Sequence, residues 1–276
     1  MPNEPGKIRN VVVLGHRGSG KTSLVESLLF EAGEINRLGT VTDGTTVSDY
    51  DDDEKRRSLS ISGTVTHATW HDRRLNVLDT PGDPSFQADA LGALRVVEGA
   101  IIEVNGVNGV EVSTDRFWRR CEERKLPRIV HVSMLDRERA DFEAALAALE
   151  GLSDRVVAVA MPMGEAHEYA GVIDLVHMVA YPDPQGKKEG DGVAIPAEWA
   201  ERAQELHDRL VERVAESADE LIEKYLEGEE ISQEEMAVAL KAMVSRAELF
   251  PVTCGSATRN SGTHSLLDLV VEALPS

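Results

Sequence analysis

Eight consecutive residues constrain this chain more than any others: Gly15, His16, Arg17, Gly18, Ser19, Gly20, Lys21 and Thr22, with Ser23 directly behind them. They satisfy the spacing G-x-x-x-x-G-K-[ST], and their surroundings suit it. The preceding IRNVVVLG (8–15) is rich in β-branched apolar residues, as in a strand buried on both faces of a parallel sheet. The following SLVESLLFEAG repeats apolar residues at helical spacing and ends on Gly33. A glycine loop between strand and helix lets backbone N–H groups converge on a phosphate. Lys21 adds a cation there, and the helix N-terminus adds partial positive charge. The Thr22 hydroxyl is placed to ligate Mg²⁺ beside the phosphate. A glycine-rich turn without a ligand is the plainer alternative, but every fixed position and the context match. Residues 15–23 read as a nucleotide phosphate site.

The rest of the chain extends the same pattern. TVTHATW and RLNVLD look like a hairpin turning near His71–Arg73. Helix (84–97), strand (GAIIEVNG), helix (111–124), strand (PRIVHVSM) and helix (137–150) follow. This alternation predicts an α/β fold with a doubly wound, mostly parallel sheet. Between the first helix and the hairpin, residues 36–62 are poor in large apolar side chains and read as a long loop. Alternation breaks at 154. Short strands (154–181), a turn-rich segment and helices over 197–248, broken at Gly228, suggest an insertion before a last strand (LFPVTC) and helix (262–274). The expected domains are therefore 1–153 with 249–276, and an inserted 154–248.

Composition removes several function classes. With 29 Lys+Arg against 49 Asp+Glu the formal charge is −20, so the chain has no general grip on phosphate backbones. We expect no direct sequence-specific nucleic-acid binding by this segment. No apolar stretch is long enough for a membrane span, and MPNEPGKIRN has no apolar signal core, which together point to a cytoplasmic protein. Cys121 and Cys254 show neither a disulfide framework nor a zinc spacing. Cys254 and the scattered histidines read as structural.

Asp79-Thr80-Pro81-Gly82 follows the strand LNVL, where a carboxylate can hold Mg²⁺ through water and a Gly N–H can sense a γ-phosphate. With the phosphate loop and a Ser/Thr-rich loop ahead of it, this order resembles the translational GTPases, most closely the G domain of elongation factor G. RIVHVSMLDRERADF is similar to the guanine-reading strand and loop of that family. EYAGVIDLVHMVAY with IPAEWAERAQELHDRLVE is similar to its inserted G′ subdomain, and FPVTCGSATRNSGTHSLLDLVVEALPS is close as well. The resemblance covers the whole chain. It implies a P-loop GTPase fold with an inserted α+β subdomain, binding GTP or GDP with Mg²⁺ and coupling hydrolysis to action on the ribosome. By position it implies that Lys21 and the amides of Gly18, Ser19 and Gly20 hold phosphates. Thr22, Ser60 and Asp79 would serve Mg²⁺, Asp136 would pair with guanine, and Ser256-Ala257 would line the base through a backbone N–H. The acidic insert, with 15 acids and 6 bases over 197–250, is a solvated face in the plain reading. By resemblance it is a docking surface for the ribosomal stalk protein. Relatives continue beyond the position of Ser276, and a monomer is expected.

The departures carry as much information. The family's Asn-Lys-x-Asp is Ser133-Met134-Leu135-Asp136, so the loop-tying Asn is gone and Met134 replaces the Lys that covers the base. Weaker guanine binding is expected, with a bare strand end as the alternative. An Asp is replaced by Gly18, and an apolar residue by Arg17, which would stabilise transition-state charge, crowd the attacking water, or simply be solvated. The water-positioning His is Asp83, whose charge opposes attack on a phosphate. Asp83-Pro84 also suits a helix cap, the role we favour. Either way hydrolysis should be slow. A nucleotide-responsive ribosome-binding module with little or no GTPase activity is the alternative function. Residues 36–62 should gain order only when Ser60 reaches Mg²⁺.

Overall fold

A computed structural model describes residues 4–229 and 231–276. Residues 1–3 and 230, which the sequence-based boundaries include, lie outside the described residues. The central strand β1 (Ile8–Gly15) buries Val11, Val12, Val13 and Leu14 almost completely. Each such side chain contributes roughly 1.5–3 kcal/mol relative to exposure, before conformational entropy is set against it. β2 (Thr64–Trp70) and β3 (Arg73–Asp79) form the expected hairpin. His71 and Asp72 turn it with φ of 44° and 58°, a left-handed pair that Asp and His tolerate better than most residues. β4 (Gly99–Asn105), β5 (Arg128–Ser133) and β10 (Phe250–Cys254) complete the parallel centre. The sheet order is β2-β3-β1-β4-β5-β10-β6, with only the β2–β3 pair antiparallel. The helices α1 (Lys21–Ala32), α3 (Gln87–Ala93), α4 (Val112–Glu123), α5 (Phe142–Glu150) and α9 (Thr263–Ala273) accompany it.

Two helices are shorter than their apolar spacing suggests. Residues 84–86 form a 3-10 turn before α3, and α5 starts only at Phe142. There the Asp141 carboxylate accepts the Ala144 N–H at 2.8 Å and fixes the start.

The boundary at 154 needs correction. β6 (Val156–Ala158) pairs with β10 as the seventh strand of the central sheet, in parallel register. Its three apolar residues cannot be told from insert strands by pattern, because pairing partners are set by the long return through β10. Beyond it β7 (Ala160–Pro162), β8 (Gly171–Asp174) and β9 (Val179–Pro182) form a separate antiparallel sheet. The helices α6 (Ala197–Ala215), α7 (Asp219–Glu227) and α8 (Gln233–Ser245) follow. α6 buries Ala203, Leu206, Leu210 and Val214, a single stripe at helical spacing. Gly228 ends α7 with φ of 74°, as its position suggested.

The segment 36–62 is not a featureless loop. It contains α2 (Asp52–Arg57), started by a reciprocal cap between Asp51 and Glu54. Two buried carboxylates anchor the rest. Glu26 accepts the N–H groups of Gly39 (3.0 Å) and Val47 (2.8 Å), and Glu54 accepts those of Ile61 (2.9 Å) and Ser62 (3.1 Å). Order here comes from charge-assisted backbone contacts rather than apolar burial, which is why low apolar content misled.

Candidate functional site

The phosphate loop forms as its spacing requires. Gly18 and Gly20 sit at φ of 76° and 109°, and Gly20 is the residue from which α1 starts. Between them Ser19 N–H bonds back to the His16 carbonyl at 3.2 Å, closing the loop. Lys21 is buried and its Nζ donates to the same His16 carbonyl at 2.8 Å. Burial pulls its pKa down while Asp79 and Glu103 oppose that. Space at Gly18 is open, so a side chain there would meet no protein atom.

Asp79, at the end of β3, is 2% exposed and neither carboxylate oxygen has a protein partner. An unpaired carboxylate in such a place is costly unless a cation joins it. Burial raises its pKa, with the neighbouring Ser48 hydroxyl first and Lys21 after it acting against the rise. Thr22 Oγ1 and Ser60 Oγ face each other at 3.0 Å nearby, and the Ser48 hydroxyl is buried without a partner. The unpartnered Asp79 oxygens beside this hydroxyl pair are hard donors that suit Mg²⁺ completed by phosphate and water. Gly82 lies so close to the loop that a Cβ would stand 2.7 Å from the His16 carbonyl and 2.8 Å from the Arg17 nitrogen. Only glycine lets its backbone reach the place a γ-phosphate would occupy.

Asp83 takes the cap role. Its Oδ1 accepts the Ser85 N–H at 2.9 Å, opening the 3-10 turn, while Oδ2 meets Arg17 Nη1 at 3.3 Å. The Ser85 amide first, and Arg17 after it, hold this carboxyl below the usual range. It is a charged group at neutral pH.

On the base side, Met134 adopts φ of 60° and borders the cleft beside Gly20. Asp136 is half-buried and makes no hydrogen bond or ion pair among the described residues. Ser256 and Ala257 are buried; Ser256 commits its N–H to Ser261 O at 3.0 Å, which leaves Ala257 to present one. The expected loss of the loop tie is corrected. Ser133 Oγ donates to the Ser19 carbonyl at 2.9 Å, joining β5 to the phosphate loop without an Asn.

A cleft of about 180 Å³ unites Arg17, Gly18, Gly20 to Ser23, Ser60, Gly82 and Met134. Of the residues singled out in the sequence, Gly15, His16, Ser19, Asp79, Ser133, Asp136, Ser256 and Ala257 do not line it. A larger cavity of about 280 Å³, bordered by His71, Asp174, His177 and Lys241, holds none of the site residues. The smaller cleft is the one with the chemistry. Sequence reasoning missed Asp49, which lines it and which burial and the Asp79 charge raise to about 6. SDYDDDE contains four aspartates, and only the fold selects that one. It also missed Glu103, buried beneath the loop inside an apolar strand pattern.

Residues 6–276 match the model of the family described as the elongation factor Tu GTP binding domain. The chain belongs to this family. A solved structure from Thermus thermophilus is similar at 36% identity with a TM-score of 0.90. The match covers 98% of this chain but 41% of that one, so the chain spans about two fifths of its relative's length. Family membership makes this a guanine-nucleotide-binding domain on a mostly parallel α/β sheet of the translational GTPase kind. Among the described residues no helix is long and apolar enough to cross a membrane.

Proposed function

We propose that this is the nucleotide-binding domain of an elongation-factor-G-like translation factor, which binds GTP or GDP with Mg²⁺ and acts on the ribosome as a slow GTPase. Lys21 and the loop amides would hold the phosphates, with Thr22, Ser60 and Asp79 on Mg²⁺. Bound there, Mg²⁺ would neutralise charge between the β- and γ-phosphates. Asp136, with no other partner among the described residues, would accept the two guanine hydrogens, and Met134 would cover the base plane. The segment 160–248, between β6 and β10, is the candidate insert, and its acidic helices suit a basic ribosomal partner such as the stalk.

The Arg17–Asp83 pair carries the slow-turnover reading. A carboxylate kept ionised beside the γ-phosphate position repels charge, and while Arg17 engages it the guanidinium is directed at Asp83 rather than at the transition state. This observation also supports the alternative of a nucleotide-responsive module with little hydrolysis. Loss of a positioned acid–base group typically costs about 10²–10⁴ in rate. Single-turnover GTP hydrolysis with and without ribosomes, for the full-length protein and its Asp83→His and Arg17→Ile variants, tests this. We expect Asp83→His to be faster by at least about tenfold. Equal rates on ribosomes would remove Asp83 as the limit, and failure to bind GTP would overturn the nucleotide reading itself.

A further inference from the structure

Glu103 lies in the middle of the sheet, where β4 is in register with Gly15 of β1 and His131 of β5. It is fully buried, and neither carboxylate oxygen has a hydrogen-bond partner. Its position explains why it matters. A Cβ on Gly20 would stand 3.1 Å from Glu103 Oε1, and one on Gly15 would stand 3.3 Å from Glu103 Cβ. The carboxyl thus lies against Gly20 and the start of the Glu103 side chain against Gly15, at the two ends of the phosphate loop.

The groups around it decide its charge. Ser133 Oγ approaches the same point, 3.3 Å from a Cβ on Gly20, but donates its single proton to the Ser19 carbonyl. With that proton on Ser19, its oxygen can accept a hydrogen bond from a protonated Glu103; the hydroxyl would favour the ionised form only by turning away from Ser19, and burial outweighs that influence. β1 contributes only Gly15 at this level, and β5 contributes His131, which burial pushes down to about 3 and so keeps neutral. On α1, Lys21 is the one cation acting on Glu103 among the described residues. Lys21 must face the phosphates when nucleotide is bound, so it cannot neutralise a carboxylate on the other side of the loop. Burial pushes Glu103 up to about 8.

We propose that Glu103 is a positioning residue of the nucleotide site, a neutral carboxylic acid that supports the phosphate loop from beneath and must hold its proton for phosphates to bind above it. This rests on the guanine-nucleotide reading and adds a residue that no loop motif contains. An ionised Glu103 would place a second negative charge across one layer of backbone from the phosphates, in a water-free interior where screening is weak. Nucleotide binding and proton retention at Glu103 are thereby linked.

The test is GDP binding with Mg²⁺, by calorimetry over pH 6.5–9.5, for the unmodified protein, Glu103→Gln and Glu103→Val. Ionisation of the free nucleotide is common to all three and cancels on comparison. The unmodified protein should bind with constant affinity to near pH 7.5 and lose about tenfold between pH 8 and 9. Near pH 8.5 it should take up a fraction of a proton beyond the Glu103→Gln value, seen by repeating titrations in buffers of different ionisation enthalpy. Glu103→Gln should bind tightly without that pH step, and Glu103→Val should lack the step but bind more weakly. Superimposable pH profiles and equal proton uptake for the unmodified and Gln proteins would overturn the proposal. If neither variant folds, absence of any pH step and any excess proton uptake in the unmodified protein would overturn it as well. Failure of the unmodified protein to bind GDP at any pH would instead overturn the nucleotide reading.

Discussion

Replacing Ser133 by Ala isolates the tie that substitutes for the missing Asn. The Ser133 hydroxyl is 1% exposed and donates to the Ser19 carbonyl at 2.9 Å, with the Val104 carbonyl further away at 3.4 Å. Removing it leaves a buried carbonyl short of a donor, which costs about 1–2 kcal/mol. In the empty protein the loop can relax and let water reach that carbonyl. With phosphates seated on the amides of Gly18 to Lys21 it cannot, so most of the cost falls on the bound state. At about 1.4 kcal/mol per factor of ten, the dissociation constant for GDP should rise roughly 5- to 30-fold. Calorimetric titration with Mg·GDP at neutral pH gives the constant, and a thermal melt of the empty protein separates the share lost from folding. A dissociation constant within twofold of the unmodified value, in a variant with the same fold by circular dichroism, would refute this reasoning. It would mean that the loop is held by its own closure through His16 alone.

Two further outcomes follow from the same structure. Asp136→Asn should weaken GDP by about 10- to 100-fold, through loss of a charge-assisted pair. It should bind xanthosine diphosphate better than the unmodified protein does, because the amide reverses one donor–acceptor match; unchanged base preference in a competition assay would remove Asp136 from the site. His131 is buried and pushed down to about 3, so between pH 6.5 and 3 the unfolded chain binds a proton that the folded chain does not. Stability is therefore lost as pH falls through that window, by up to about 1.4 kcal/mol per unit. Denaturant titrations at pH 4.5 and 7 should show a smaller difference for His131→Leu than for the unmodified protein.

Some of this was legible in residue order because the physics is local. A glycine-rich turn between a β-branched run and an amphipathic helix makes a phosphate cradle from contiguous backbone, so residues 15–23 could be read directly. Asp79 and Gly82 were legible for a similar reason, since a strand end places both at the sheet's edge. Asp83-Pro84 was read correctly as a cap because capping involves a neighbour only two residues away. The hairpin at His71–Asp72 and the stop at Gly228 are also short-range events.

What resisted reading depends on residues far apart in the chain. β6 has the composition of any short apolar strand, and its membership in the central sheet follows from pairing with β10, nearly a hundred residues later. Residues 36–62 look too polar to be ordered because their anchors are buried carboxylates on α1 and α2, invisible to apolar periodicity. Asp49 is one aspartate in an acidic run until the cleft selects it, and Ser133 is a conservative-looking loss until its hydroxyl is seen on Ser19. Glu103 is the sharpest case, a single acid in an otherwise apolar strand, with nothing in its neighbours to place it beneath the phosphate loop. Residue order was enough for the strand–loop–helix unit, its phosphate chemistry and the α/β class, since these follow from spacing along contiguous backbone. Which distant side chains stand above and beneath that loop emerged from the folded chain alone, because burial and long-range register, not composition, set whether a carboxyl meets water, a cation or neither.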